Sequence, residues 1–88
     1  MKIKPGYMLR KVVDVYVIIG IGGEAYTPNQ IMSLNETGAF LWRILENGAE
    51  REQLVESLLS EYDVDAQTAT ADVDTFLASL REKALIAE

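Results

Sequence analysis

The sequence predicts an α+β domain in which a three-stranded antiparallel sheet is followed by a three-helix bundle, strands first and helices after. Three observations carry this. Two runs rich in β-branched and aromatic residues, YMLRKVV at 7–13 and VYVIIGI at 15–21, flank Asp14. From Phe40 onward, apolar residues recur at helical spacing in three separate blocks. Between these regimes QIMSL at 30–34 passes directly into NETGAFLW, so a short apolar strand is joined to a helix start with no linker.

The first two runs read as a hairpin turned at Asp14, one of the few non-glycine residues that accepts a tight turn. Gly20, Gly22 and Gly23, then Thr27, Pro28 and Asn29, mark the following segment as a loop. Gln30 to Leu34 forms the third strand. Asn35 is the expected N-cap of helix one, Glu36 places negative charge at its positive end, and Gly48 stops it, giving a helix over about 36–47. Helix two, about 50–61, carries Leu54, Val55, Leu58 and Leu59 as one stripe. Its start looks poorly capped, since Ala49 and Glu50 stand where Ser, Thr or Asp would be expected. Tyr62, Asp63 and Val64 make a turn, and Asp65 caps helix three. That helix directs Ala69, Val73, Phe76, Leu77 and Leu80 inward and ends near Lys83, with Leu85 and Ile86 closing the core.

Eighty-eight residues make a single domain over 1–88, and a chain of this size buries only a little more than ~60% of its unfolded surface. There is no cysteine and no histidine. Disulfides, thiolate nucleophiles, the usual general base and nearly all zinc and transition-metal chemistry therefore have no side chains to use. No catalytic residue, cofactor site or metal site is expected, and the chain does not read as an enzyme. The longest apolar run, Val15 to Ile21, is far below the ~20 residues of a membrane helix, and Met1 to Leu9 lacks a secretory apolar core. A cytoplasmic protein without a membrane partner is the expectation. Net charge is −6, unevenly spread: Lys2, Lys4, Arg10 and Lys11 make the first eleven residues basic, while residues 46–88 hold eleven acids against Arg51, Arg81 and Lys83. A partner meeting the C-terminal half is then neutral or basic.

Several motifs invite chemistry and fail on their discriminating positions. IGIGGEAY lacks the full glycine spacing and the Lys-Ser/Thr of a phosphate loop and opens no helix. DVDAQTATADVD, 63–74, has the length of a calcium loop, but Thr68 occupies the position that needs glycine, and a helix accounts for the same residues. Ser33 in Met32-Ser33-Leu34 lacks the preceding Asp of an acyl-carrier attachment site. Helices two and three with the strands as a wing outline a winged helix-turn-helix. Its third helix, however, presents Thr68, Thr70, Asp72, Asp74, Thr75 and Ser79 outward with Arg81 alone in its last turns, and aspartates repel a nucleic acid. Tyr16, Tyr26 and Trp42 also stand out; Trp42 lies off the main stripe of helix one, where it covers a sheet face or joins a binding surface, core or boundary packing being the commoner role of a single Trp in a small domain.

The third strand is short, apolar and unblunted by Lys or Pro, so it is either covered within the fold or kept for another chain. Its text, Ser33-Leu34-Asn35-Glu36-Thr37-Gly38, together with Tyr62-Asp63-Val64-Asp65 and ADVDTFLASL, resembles the PqqD-like proteins, the recognition elements for ribosomally made precursor peptides, over about Tyr7 to Ile86. The resemblance implies a winged helix-turn-helix-like fold that binds no DNA. It implies a non-catalytic accessory protein of natural product biosynthesis that binds the leader segment of a precursor peptide and presents it to a modifying enzyme, a radical S-adenosylmethionine maturase. The leader adds as a strand beside strand three and lies against helix three. By position, the implied contacts are Gln30, Ile31, Met32, Ser33 and Leu34, with Asp72, Val73, Phe76 and Ser79 from helix three, or the opposite flank Thr70, Leu77 and Arg81. Alternation places Ile31 and Ser33 on one face, Met32 and Leu34 on the other. Acidic surface near helix three implies basic residues in the leader. The alternative readings are a winged-helix DNA-binding regulator and an adaptor that docks the enzyme without touching a leader. An open edge also allows pairing with a second copy as a homodimer.

Overall fold

A computed structural model describes residues 1–21 and 29–88, with the side chains of Asn29 and Gln30 outside that description. The element order is β1 (Lys2–Ile3), β2 (Tyr7–Val12), β3 (Val15–Gly20), β4 (Asn29–Leu34), α1 (Glu36–Glu46), α2 (Arg51–Glu61), α3 (Ala66–Glu82) and β5 (Ile86–Ala87). The antiparallel sheet β2-β3-β4 followed by three helices is the α+β arrangement expected from the sequence, with β4 as the third predicted strand. The glycine-rich loop reading at Gly22, Gly23, Thr27 and Pro28, and Tyr26 with it, lies outside the described residues.

Two further strands join the ends of the described chain. Lys2 pairs with Ala87 and Ile3 with Ile86, and the Lys4 N–H donates to the Leu85 carbonyl at 2.9 Å. Two-residue strands carry no period, so the sequence does not announce them. Leu85 reaches this position through the end of α3. Ala84 takes φ +56°, its N–H bonds to the Arg81 carbonyl and that of Leu85 to the Leu80 carbonyl, a Schellman arrangement that turns Leu85 and Ile86 back into the core.

The hairpin β2–β3 is closed by Val12 opposite Val15, so its loop is Val13-Asp14. The expected turn is present, but the strained position is Val13, at φ +58°, rather than Asp14. A β-branched side chain in the left-handed region is disfavoured. Val13→Asn is therefore expected to raise stability by roughly 1 kcal/mol, read as a thermal midpoint about 4–8 °C higher.

The helices are capped largely as the sequence predicts. Asn35 Oδ1 accepts from the Gly38 N–H at 2.7 Å, and Asp65 Oδ1 from the Thr68 N–H at 2.7 Å. This second bond holds the Asp65 carboxyl below the usual carboxylate range. The start of α2 is better closed than expected. The Glu50 N–H donates to Gln53 Oε1 at 2.7 Å, so the closure comes from the residue three positions ahead.

The core lies between the sheet and the helices. Ile18, Leu41, Trp42, Leu45, Leu54, Leu58, Val73, Leu77 and Leu80 are buried there, with Ala69, Phe76, Leu85 and Ile86. Every inward position assigned to α3 is buried. On α2 the stripe is narrower than expected: Leu54 and Leu58 are buried, Val55 is half-buried and Leu59 is exposed.

Candidate functional site

β4 has β3 on one side and, among the described residues, no strand on the other. Its last residue, Leu34, is followed by the N-cap Asn35 and then by α1. The close junction is eased by Gly38. A Cβ there would lie 3.2 Å from Asn35 Oδ1 and 3.2–3.3 Å from the Leu34 side chain, so any larger residue would push these side chains back by a few tenths of an ångström.

Between the β4–α1 junction and α3 lies a cleft of about 270 Å³. Met32, Ser33 and Leu34 form one wall, with Asn35, Thr37, Gly38 and Leu41 at the helix start, and Asp72, Thr75, Phe76 and Ser79 form the other. The four α3 residues follow i, i+3, i+4, i+7 spacing and so form a single stripe down the helix. Apolar Met32, Leu34, Leu41 and Phe76 alternate here with hydroxyls and one carboxylate, a lining that can hold an apolar side chain and orient a polar one.

Of the residues the sequence singled out, the fold brings Met32, Ser33 and Leu34 together with Asp72, Phe76 and Ser79. Val73 is not among them, because it faces the core and is fully buried. The opposite flank is absent from the cleft as well: Leu77 is buried, and the Arg81 guanidinium is held by Glu88 at 2.8 and 3.1 Å. Ile31 departs from the expected alternation. Ile18 pairs with Met32 but Ile19 with Gln30, so Ile31 is the extra residue of a β-bulge. The bulge resets the side-chain alternation, and Ile31, Met32 and Leu34 all pack against the core while Ser33 is exposed. The side chain of Gln30 lies outside the described residues. Thr37, Gly38, Leu41 and Thr75 were not assigned to the site from sequence. Thr75 was recoverable as the i+3 neighbour of Asp72, whereas the other three depend on how α1 is set against β4.

Charge near the cleft is unevenly compensated. Arg51 donates to both carboxylate oxygens of Asp74, at 2.6 and 2.9 Å, and this bond holds the Asp74 carboxyl below its ordinary range. Asp72 makes no ion pair or hydrogen bond among the described residues. A second, smaller cleft, about 230 Å³, abuts the first at Leu34 and Asn35 and includes Lys11, Asp14, Tyr16 and Glu36. There the Tyr16 ring lies 5.5 Å from both the Lys11 ammonium and the Arg43 guanidinium. Among the described residues no cluster of three or more His, Cys, Asp or Glu could hold a metal ion, and no helix is long and apolar enough to cross a membrane.

Solved structures with the same architecture exist. One, described as TbiB1 in complex with the TbiA(beta) leader peptide, is 28% identical, covers 100% of both chains and superimposes with a TM-score of 0.71. Another, lasso peptide synthetase B1 complexed with the leader peptide, is 23% identical over 99% of this chain and 96% of its own, with a TM-score of 0.69, and shares the fold. No curated protein matches the chain. The family model described as coenzyme PQQ synthesis protein D matches residues 16–86, from β3 to the start of β5, and the chain therefore belongs to the PqqD family.

Proposed function

We propose that this protein is a non-catalytic accessory that binds the leader segment of a ribosomally synthesised precursor peptide by strand addition at β4 and presents it to a modifying enzyme, a radical S-adenosylmethionine maturase. The observation that carries the reading is the placement of an edge strand beside a cleft whose far wall is one stripe of α3. An added strand gains affinity from main-chain hydrogen bonds to β4 and specificity from the side chains it turns into the cleft. The full-length likeness to a structure holding a leader peptide supports the same assignment. Gln30, Ile31, Met32, Ser33 and Leu34 are the strand positions in this reading. Asp72, Thr75, Phe76 and Ser79 are the helix positions, and Val73 supports them from beneath.

A nucleic-acid ligand is disfavoured by the same wall, since Asp72 would face the phosphates and Arg51 is already engaged by Asp74. Fluorescence anisotropy separates the two. A labelled synthetic leader of the precursor encoded beside this gene is expected to bind saturably in the micromolar range or below, and a labelled DNA duplex is expected not to bind. Retention of the duplex at low salt without binding of the leader would overturn the proposal in favour of a regulator.

A further inference from the structure

Along α3 the acidic residues differ in what they already hold. Asp74 is committed to Arg51 through two short bonds, and the nearby cation Arg81 is committed to Glu88. Asp72 alone lines the cleft, and it has no cation of its own among the described residues. Around it the described lining residues offer hydroxyls, the amide of Asn35 and apolar groups, and none of them balances its charge. A peptide strand laid along β4 brings its own side chains into this space and covers part of the carboxylate, which makes an uncompensated charge there more costly than in open solvent.

The spacing adds a second constraint. Asp72 and Phe76 are four residues apart on one stripe, a rise of about 6 Å along the helix axis. Two residues of an extended strand cover about 6.6 Å, and residues i and i+2 share a face. One face of a strand running along α3 would meet the carboxylate of Asp72 and the ring of Phe76 with side chains two positions apart.

Resting on the peptide-binding reading of this cleft, we infer that Asp72 selects its ligand. The bound segment carries a lysine or arginine at the Asp72 end of the cleft and an apolar residue two positions away that packs against Phe76, Leu41 and Met32. The partner is thus a peptide with a basic and an apolar residue separated by one residue, rather than any extended chain with apolar character.

A display library of random dodecapeptides selected on the intact protein tests this whatever the sequence of the natural leader. The expected result is enrichment of Lys or Arg at one position with an apolar residue two away. With Asp72→Lys the enriched charge should reverse to Asp or Glu, while Asp74→Asn should leave the selected pattern unchanged. For a selected peptide, Asp72→Asn should weaken binding roughly fivefold to tenfold at low salt, with a smaller loss at high salt. Enriched peptides that compete for β4 but show no basic preference, or a preference that Asp72→Lys does not move, would overturn the inference and leave the peptide-binding reading standing. No enrichment above a bare support would count against both.

Discussion

Ser33→Pro is expected to weaken leader binding roughly thirtyfold. The reason is the register of the sheet. A two-residue loop is closed by a pair that exchanges both main-chain hydrogen bonds, here Val12 and Val15. Along β3 the odd positions then turn their main-chain groups to β2, and Tyr16 and Ile18 turn theirs to β4. Their partners Leu34 and Met32 face inward, and Ser33, opposite Val17, is turned toward the outer side of β4. Proline at 33 places its ring on the outer side of β4, where it obstructs the approach of an added strand. Lys11 has the equivalent outward parity on β2, the other edge of the sheet, so Lys11→Pro should leave leader affinity unchanged. Isothermal titration with the wild type and both variants checks this, and equal losses at the two edges would remove the assignment to β4.

Trp42→Ala is expected to cost about 3–5 kcal/mol, a large share of the ~5–15 kcal/mol typical of such a domain. Trp42 is fully buried on α1, next to Leu41 in the cleft lining, and its side chain is the largest of those completely removed from solvent. Its indole N–H finds no hydrogen-bond partner among the described residues, and a buried donor left unpaired costs ~1–3 kcal/mol. Trp42→Phe gives up area but also removes that donor, so its cost should stay under about 1.5 kcal/mol. Urea unfolding followed by circular dichroism, which does not depend on the lost chromophore, measures both. A cost below about 1 kcal/mol for the alanine variant would show that the core tolerates a cavity at this point.

The contrast between these two residues shows where the sequence was legible. The α3 core was readable because Ala69, Val73, Phe76, Leu77 and Leu80 keep helical period over about three turns, and Asn35 and Asp65 were readable as caps because their chemistry is local. The same stripe logic sets Val73 in the core and Asp72 and Ser79 on the flank of that stripe, but it does not say which flank faces β4. The face of Ile31 was misread because a bulge is an insertion in pairing, invisible in a single strand's text. Val13 was overlooked because the turn signal sits in Asp14, whereas the positive φ falls on the preceding residue. Thr37, Gly38 and Leu41 join the site through the way α1 is set against β4, a tertiary quantity that local sequence pattern does not carry.

The central claim is the place where the leader binds. The most direct measurement is a nuclear magnetic resonance study of the isotope-labelled protein with the unlabelled leader, recording amide shift changes and cross-strand proton contacts. Strand addition at β4 predicts contacts from the peptide backbone to Met32, Ser33 and Leu34, and side-chain contacts to Phe76 and Thr75. Contacts confined to β2, or to the exposed side of α2, with β4 unchanged, would contradict it.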